Sequence, residues 1–489
     1  MKLLKISEVK QFFRRLVLSA HLITKTERIL LYILIGLISF EVAFKGYGIY
    51  LNNTMVIPAE GGVYKEIMVG EVKYINPIFT KTDAERSISR LVYSGLVKLD
   101  EKGNIVPDLA ERWELTPDGL TYRFYLKSGI YFHNGEPFEA KDVVNTLNAI
   151  KDPETKSSYQ EIWSEVQISS PEASIVEITI PRQNGPFIFN CLQGIVASNN
   201  LEGLLAETVN GTGLYRLKVI KDMKNGRKYF ELEKFNFYYN TSPLIPMIQI
   251  STFENAIPKE LENSINDFTA VVGVENHNDK FLNQNFQVGR TLFLIPNLKN
   301  PLLADAATRA KVTKFERLDN PLDLKLISLD APKQKAKVDE IKNNFVDKNV
   351  NLEVQFLSSV DFYKKVSARD FDLVLYGCDY GYDRDPYSFW HSSQINNNNF
   401  TSYSDKAMDI KLEDARMIND ISDRNRKYDE IYAQIQSENL IIIYPNVKYD
   451  FKINEELKGL NQIIGSRPED RFNTISSWYL EEERVRKRS

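Results

Sequence analysis

The chain has 489 residues, 43% of them hydrophobic and 26% charged, and a net charge of −4. That length exceeds one ordinary core and implies two or three lobes, while the charge balance gives no basis for nucleic-acid binding. Two cysteines, Cys191 and Cys378, stand in unrelated contexts and make neither a metal motif nor an evident disulfide framework.

The first informative stretch is ILLYILIGLISF, residues 29–40, which carries no charge and continues apolar to about Tyr50. Residues 29–50 supply the roughly 20 positions needed to span a bilayer. Glu41 and Lys45, spaced i,i+4, can neutralise each other near one end. Seven basic residues (Lys2, Lys5, Lys10, Arg14, Arg15, Lys25, Arg28) precede the segment against Glu8 and Glu27. That flank predicts a cytoplasmic N-terminus and an exported body. The apolar run is followed by no small-residue cleavage site and no cysteine to take a lipid, so the expectation is an uncleaved signal anchor. Leu3, Ile6, Phe13, Leu16 and Val17 approximate a helical stripe, and residues 1–28 read as a basic amphipathic segment on the inner membrane face or as a solvated tail. Without them the body has a net charge of about −9.

Residues 51–61 read as a tether. Gly62–Gly70 alternates as a strand, Pro77 stops the next extended run, and Asp83–Leu96 has helical spacing. Trp113–Leu126 predicts a hairpin with Pro117-Asp118-Gly119 at its turn. Phe132–Phe138 is another turn, Ala140–Leu147 begins a helix, and Trp163 reads as core.

From Ile105 the chain reads IVPDLAERWELTPDGLTYRFYLKSGIYFHNGEPFEAKDVVNTL. This run resembles the signature of the family 5 extracellular solute-binding proteins, the peptide- and nickel-binding components of ABC importers. Asn210-Gly-Thr-Gly-Leu-Tyr-Arg216, Leu292–Asn297 with Pro301–Ala310, and Asp372–Gln394 are similar to further motifs of that family, as are Asn399–Tyr403 and Met408-Asp409. Ile475–Tyr479 would be a terminal strand. The resemblance spans roughly residues 60–480. It implies an α/β, two-lobed periplasmic-binding-protein-like fold of the large class with three subdomains, following the transmembrane helix. The first lobe would be residues 62–290 plus 470–489, with an inserted subdomain at about 97–200, and the second lobe residues 291–469. The second lobe is trimmed, because Ala310 leads almost directly to Leu324 where relatives carry several dozen more residues.

Read from its own residues, the second lobe alternates strands (Leu324–Leu329, Asn351–Leu357, Phe371–Leu375) with helices (Lys333–Val346, Asp361–Ala368), which implies parallel pairing. Met408–Ile418 and Asp423–Glu438 are helical, and Leu440–Tyr444 is a buried strand. The strand at Phe371–Leu375 runs into GCDYGYDRDPYSFW, rich in aspartates and aromatic rings. A strand ending in such a loop suits a ligand site, although aspartates also merely cap and solvate turns.

His21, His133, His277 and His391 form no pair at ligand spacing, and no nucleophile elbow or phosphate loop is present. The expectation is therefore no enzyme, no metal and no cofactor. In peptide-binding members the resemblance places a loop aspartate on the ligand's free amine. Here alignment allows Asp379 or Asp383. Tyr380, Tyr382 and Trp390 would supply aromatic walls, Arg384 would pair with Asp385 or meet a ligand carboxylate, and Asn76 would face the cleft from the first lobe. Arg384 stands where relatives carry proline, and Cys378 near their usual tryptophan. The implied function is a membrane-anchored, monomeric solute-binding protein that delivers peptides or similar solutes to an ABC permease and its ATPase. A non-transport envelope receptor or scaffold of the same fold is the alternative.

Overall fold

A computed structural model describes residues 24–201, 209–223, 226–254, 256–273, 280–444 and 448–487. The amphipathic segment expected within residues 1–28 lies almost wholly outside them. The chain divides into two units, residues 1–59 with 481–489, and residues 60–480.

The first unit holds one long helix, Lys25–Asn53, with no buried side chain. Thr24 caps it: its hydroxyl accepts from the Glu27 N–H, and the Glu27 carboxylate accepts from the Thr24 N–H at 2.9 Å. The helix is long and apolar enough to cross a membrane, and Glu41 and Lys45 close an ion pair of 2.8 Å along it. Where a tether is expected, the helix continues to Asn53 and Thr54–Ala59 is a strand. Its antiparallel partner is Glu481–Arg486, with Thr54 opposite Arg486 and Ala59 opposite Glu481. The chain's last strand therefore pairs in this unit and not in the first lobe.

In the second unit, the first lobe is built on a mixed seven-stranded sheet. Val63–Val69 lies near its centre, parallel to both Met247–Phe253 and Ala270–Val272. Tyr64 and Met68 of that strand are buried in the main core, while Ile67 points to a second cluster on the other face with Phe253 and Val271. The inserted subdomain carries a four-stranded sheet, in which the hairpin Ala110–Leu115/Thr121–Leu126 turns at Pro117–Gly119 as its sequence implies. Trp163 is 1% exposed and packs on Phe187.

The second lobe has five strands in the order Val350–Leu357, Leu322–Leu329, Leu373–Asp379, Arg290–Pro296, Ile442–Tyr444. The first three are parallel and are linked by the helices Pro332–Asn344 and Ser359–Ala368. The last two add antiparallel. Alternation divides the sheet's side chains between two clusters: Phe293, Ile295, Ile327 and Val374 on one face, Leu294, Leu324, Leu326 and Leu373 on the other. Helix Ala306–Thr313 leads to Leu322 through only the short link 314–321.

Two segments carry the chain between lobes, Phe286–Gln287 outward and Lys448–Tyr449 on return, and they pair antiparallel with each other. The return falls there and not at residue 470, since Phe451–Asn454 already belongs to the first-lobe sheet. The terminal strand expected at Ile475–Tyr479 is absent. Pro468–Ser477 is a 3-10 helix. Phe472, Ile475 and Trp478 recur every third residue, which such a helix stacks along one side, and all three are buried in the main core.

Candidate functional site

The strand Leu373–Asp379 extends two residues beyond Gly377, so Cys378 is still a ladder residue, buried opposite Thr291. The loop that follows walls a cavity of about 940 Å³ whose other walls come from the first lobe and the inserted subdomain. Asp379, Tyr380, Gly381, Tyr382, Asp383, Asp385, Tyr387 and Phe389 line it from the second lobe; Arg86, Arg90, Tyr93, Phe187, Phe189 and Gln193 are among those opposite. The volume lies within the range of small-ligand sites.

The expected site residues separate into two groups. Asp379, Tyr380, Tyr382, Asp383 and Asp385 come together at the cavity wall. Asn76, Trp390 and Arg384 are outside its lining. Asn76 is 2% exposed, its amide donating to the distant Leu201 carbonyl and its oxygen accepting from the Ile78 N–H within its own turn. Trp390 is 1% exposed and packs on Tyr403. Arg384 reaches outward to Asp429 at 3.0 Å, not to Asp385.

Each loop carboxylate already faces a guanidinium of the chain. Arg290 Nε donates to Asp379 at 3.1 Å, and its two terminal nitrogens donate to Asp83 at 2.8 and 2.6 Å. Asp83 begins a first-lobe helix, so Arg290 joins the lobes. Burial opposes charge on Asp83, but Arg290 and Arg86 hold its pKa below the ordinary carboxylate value. Arg424, fully buried, donates to Asp383 through Nε and Nη2 at 2.9 and 2.7 Å. Arg416 forms an ion pair of 2.7 Å with Asp385. Burial nonetheless pushes the Asp385 pKa up.

Tyr382 bridges the lobes as well. Tyr382 donates to Asp470 at 2.9 Å and stacks on Phe189. Tyr432 donates to Tyr380 at 2.6 Å. The arginines and Phe189 carry no local pattern that announces a site. Only a search for basic partners equal in number to the loop's acids would have raised them.

His133 stands apart, against the strand that starts at Tyr215. Its Nε2–H donates to the Gly213 carbonyl at 2.9 Å and its ring packs on Phe235, which is a structural position. Among the described residues, no group of three or more His, Cys, Asp or Glu side chains is placed to hold a metal ion.

Residues 104–310 match the bacterial extracellular solute-binding proteins, family 5 middle. The chain is 24% identical over 511 residues to the oligopeptide-binding protein AppA of Bacillus subtilis, covering 86% of this chain and 92% of that one. The nickel-binding periplasmic protein of Escherichia coli is 30% identical over 99 residues, 20% of this chain and 19% of that one. Among solved structures, B. subtilis AppA in complex with a nonapeptide superposes with a TM-score of 0.65 at 18% identity, covering 87% of this chain and 100% of that one. HbpA2 of Haemophilus parasuis superposes at 0.73 with 16% identity, covering 86% and 100%.

Proposed function

We propose that the chain is a family 5 extracellular solute-binding protein that captures a peptide or similar small solute between its two lobes for ABC-type import. The observation that carries this reading is the cavity itself, walled by both lobes and lined with aromatic rings beside charged groups. The paired crossing strands Phe286–Gln287 and Lys448–Tyr449 supply the natural bending point. A solute that touches both walls favours the closed form by its differential affinity for the two states. Of the loop carboxylates, Asp379 is the most open, with 40% of its side chain exposed, and is the first candidate for contact with the solute. The chain acts as a monomer, and its role is binding, with no reaction assigned.

Helix Lys25–Asn53 anchors the chain in the cell membrane with the body outside the cytoplasm. Two tests bear on this function. Titrating a peptide pool into the full chain should give saturable binding; none at high micromolar concentration would remove the capture reading. Washing cell membranes at alkaline pH should leave the chain in the pellet, and release into the wash would remove the anchor.

A second reading, a receptor or scaffold without transport, is favoured by the short 314–321 link and by a lobe-to-lobe Arg290–Asp83 contact made by the chain alone. Peptide uptake in a strain lacking the protein separates the two, since loss of a scaffold leaves uptake unchanged.

A further inference from the structure

The cavity loop is acidic in sequence yet close to neutral in effect. Asp379, Asp383 and Asp385 each sit against a guanidinium, from Arg290, Arg424 and Arg416. Arg424 is 0% exposed and Asp383 9%, so turning that carboxylate to a ligand cation would strand a buried charge. Glu469, deeper in the first-lobe wall, lies 3.4 Å from Arg86. The lining acids that remain, Glu161, Glu165 and Glu413, are solvent-exposed, and Glu413 lies 3.2 Å from His391.

The cations divide differently. Arg86 and Arg416 are spent on carboxylates, and Arg90 donates to Asn473 at 2.8 Å. Arg182 is solvent-exposed. Arg467 lines the cavity behind the loop, its guanidinium over the Tyr382 ring at 5.2 Å and its Nε buried without a hydrogen-bond partner. Among the described residues, no carboxylate forms an ion pair with it. Gly381 keeps this approach open. It has φ +62°, and a Cβ there would come within 3.0 Å of Arg467 Nη2. Arg467 is half-buried, with Glu469 close enough to act on its charge, yet its buried Nε–H is unused, and a carboxylate arriving from the cavity fits the guanidinium fork.

We propose that Arg467 receives a carboxylate of the bound solute, and that the neutralised loop asks for no free amine. The solute class is then a carboxylate-bearing peptide or acid whose amino end is free to be blocked. This rests on the capture reading above and adds the end by which the solute is held.

The test uses three matched tetrapeptide pools, with both ends free, N-acetylated, or C-amidated, titrated into the full chain and its Arg467→Gln and Arg467→Lys variants. N-acetylation should change Kd by less than about threefold, and amidation should weaken binding about tenfold or more, a step of about 1.4 kcal/mol. Arg467→Gln should bind free and amidated pools alike, and Arg467→Lys should keep part of the distinction. A merely structural Arg467 would weaken all pools equally, which overturns the proposal. So does a tenfold loss on acetylation with none on amidation, a result the wild-type chain gives even if a variant fails to fold. Binding of no pool overturns the capture reading itself, and this inference with it.

Discussion

Tyr382 lies almost flat on Phe189, ring centroids 5.6 Å apart and planes within 13°, although one residue comes from the second-lobe loop and the other from the inserted subdomain. The same phenol donates to Asp470 in the first lobe. One side chain thus makes two contacts that exist only when the lobes are together.

Replacing Tyr382 by Ala should therefore favour the open form. The stack contributes about 0.5–1.5 kcal/mol beyond area burial, and a hydrogen bond to a carboxylate about 1.5–3 kcal/mol. Tyr382→Phe keeps the ring and should lose only the second part. X-ray scattering of the unliganded chain should show a larger radius of gyration for Tyr382→Ala and an intermediate value for Tyr382→Phe.

The pair Glu66–Arg471 holds the first-lobe sheet to the 3-10 helix Pro468–Ser477. Both side chains are 0% exposed, with contacts of 2.6 and 3.1 Å, and Glu66 also accepts from Tyr64 at 2.6 Å. Arg471→Met leaves an uncompensated buried carboxylate and should cost about 3–5 kcal/mol. Adding Glu66→Met should recover part of that loss. Denaturant midpoints of the single and double variants measure the difference.

Burial lowers the His133 pKa to about 4, despite the hydrogen bond to Gly213 that opposes the shift. The unfolded chain titrates near the ordinary value of about 6.5. Between these values the unfolded state holds more protons, so the stability from keeping His133 neutral is complete above about pH 6.5 and is lost as pH falls toward about 4. The slope should approach about 1.4 kcal/mol per pH unit. Chemical unfolding of the wild type and His133→Gln over that range should show the variant with the shallower dependence.

Gly211 turns tightly under the helix Asp83–Val92. A Cβ there would fall 2.0 Å from the Val92 carbonyl oxygen, so backbone itself would have to move. Gly211→Ala should cost about 1–3 kcal/mol or more, read as a lower thermal midpoint.

Periodicity and turn chemistry made much of the architecture legible. Pro117-Asp118-Gly119 marked its hairpin, and the alternation of Leu322–Leu329, Pro332–Asn344 and Val350–Leu357 marked parallel pairing. Glu481–Arg486 was hidden because EEERVR has no apolar alternation. Its strand identity comes from its partner Thr54–Ala59. Ile475–Tyr479 misled because its apolar and aromatic residues suit a strand until the spacing of three that joins Ile475 and Trp478 to Phe472 is noticed. At the site, the aspartates and rings of the loop stood out locally, whereas Arg290 and Arg424 lie 89 and 41 residues from the carboxylates they meet. Ion pairs at that separation leave no trace in composition. Asn76 and Trp390 looked polar and aromatic in the right places, yet burial gives the first a turn to hold and the second a core to fill.

The pairing of Thr54–Ala59 with Glu481–Arg486 sets an order of events during synthesis. Arg484 donates to Thr54 across 430 residues of chain, and at translation speeds of about 5–20 residues per second the earlier strand waits on the order of 20–90 s for its partner. Throughout that interval the Thr54–Ala59 edge is open, the condition under which strands recruit the wrong neighbour or meet a protease. A product cut short before Glu481 never closes it. The cost of a missing partner strand would fall on Met55 and Val56, which remain solvent-exposed even in the paired ribbon.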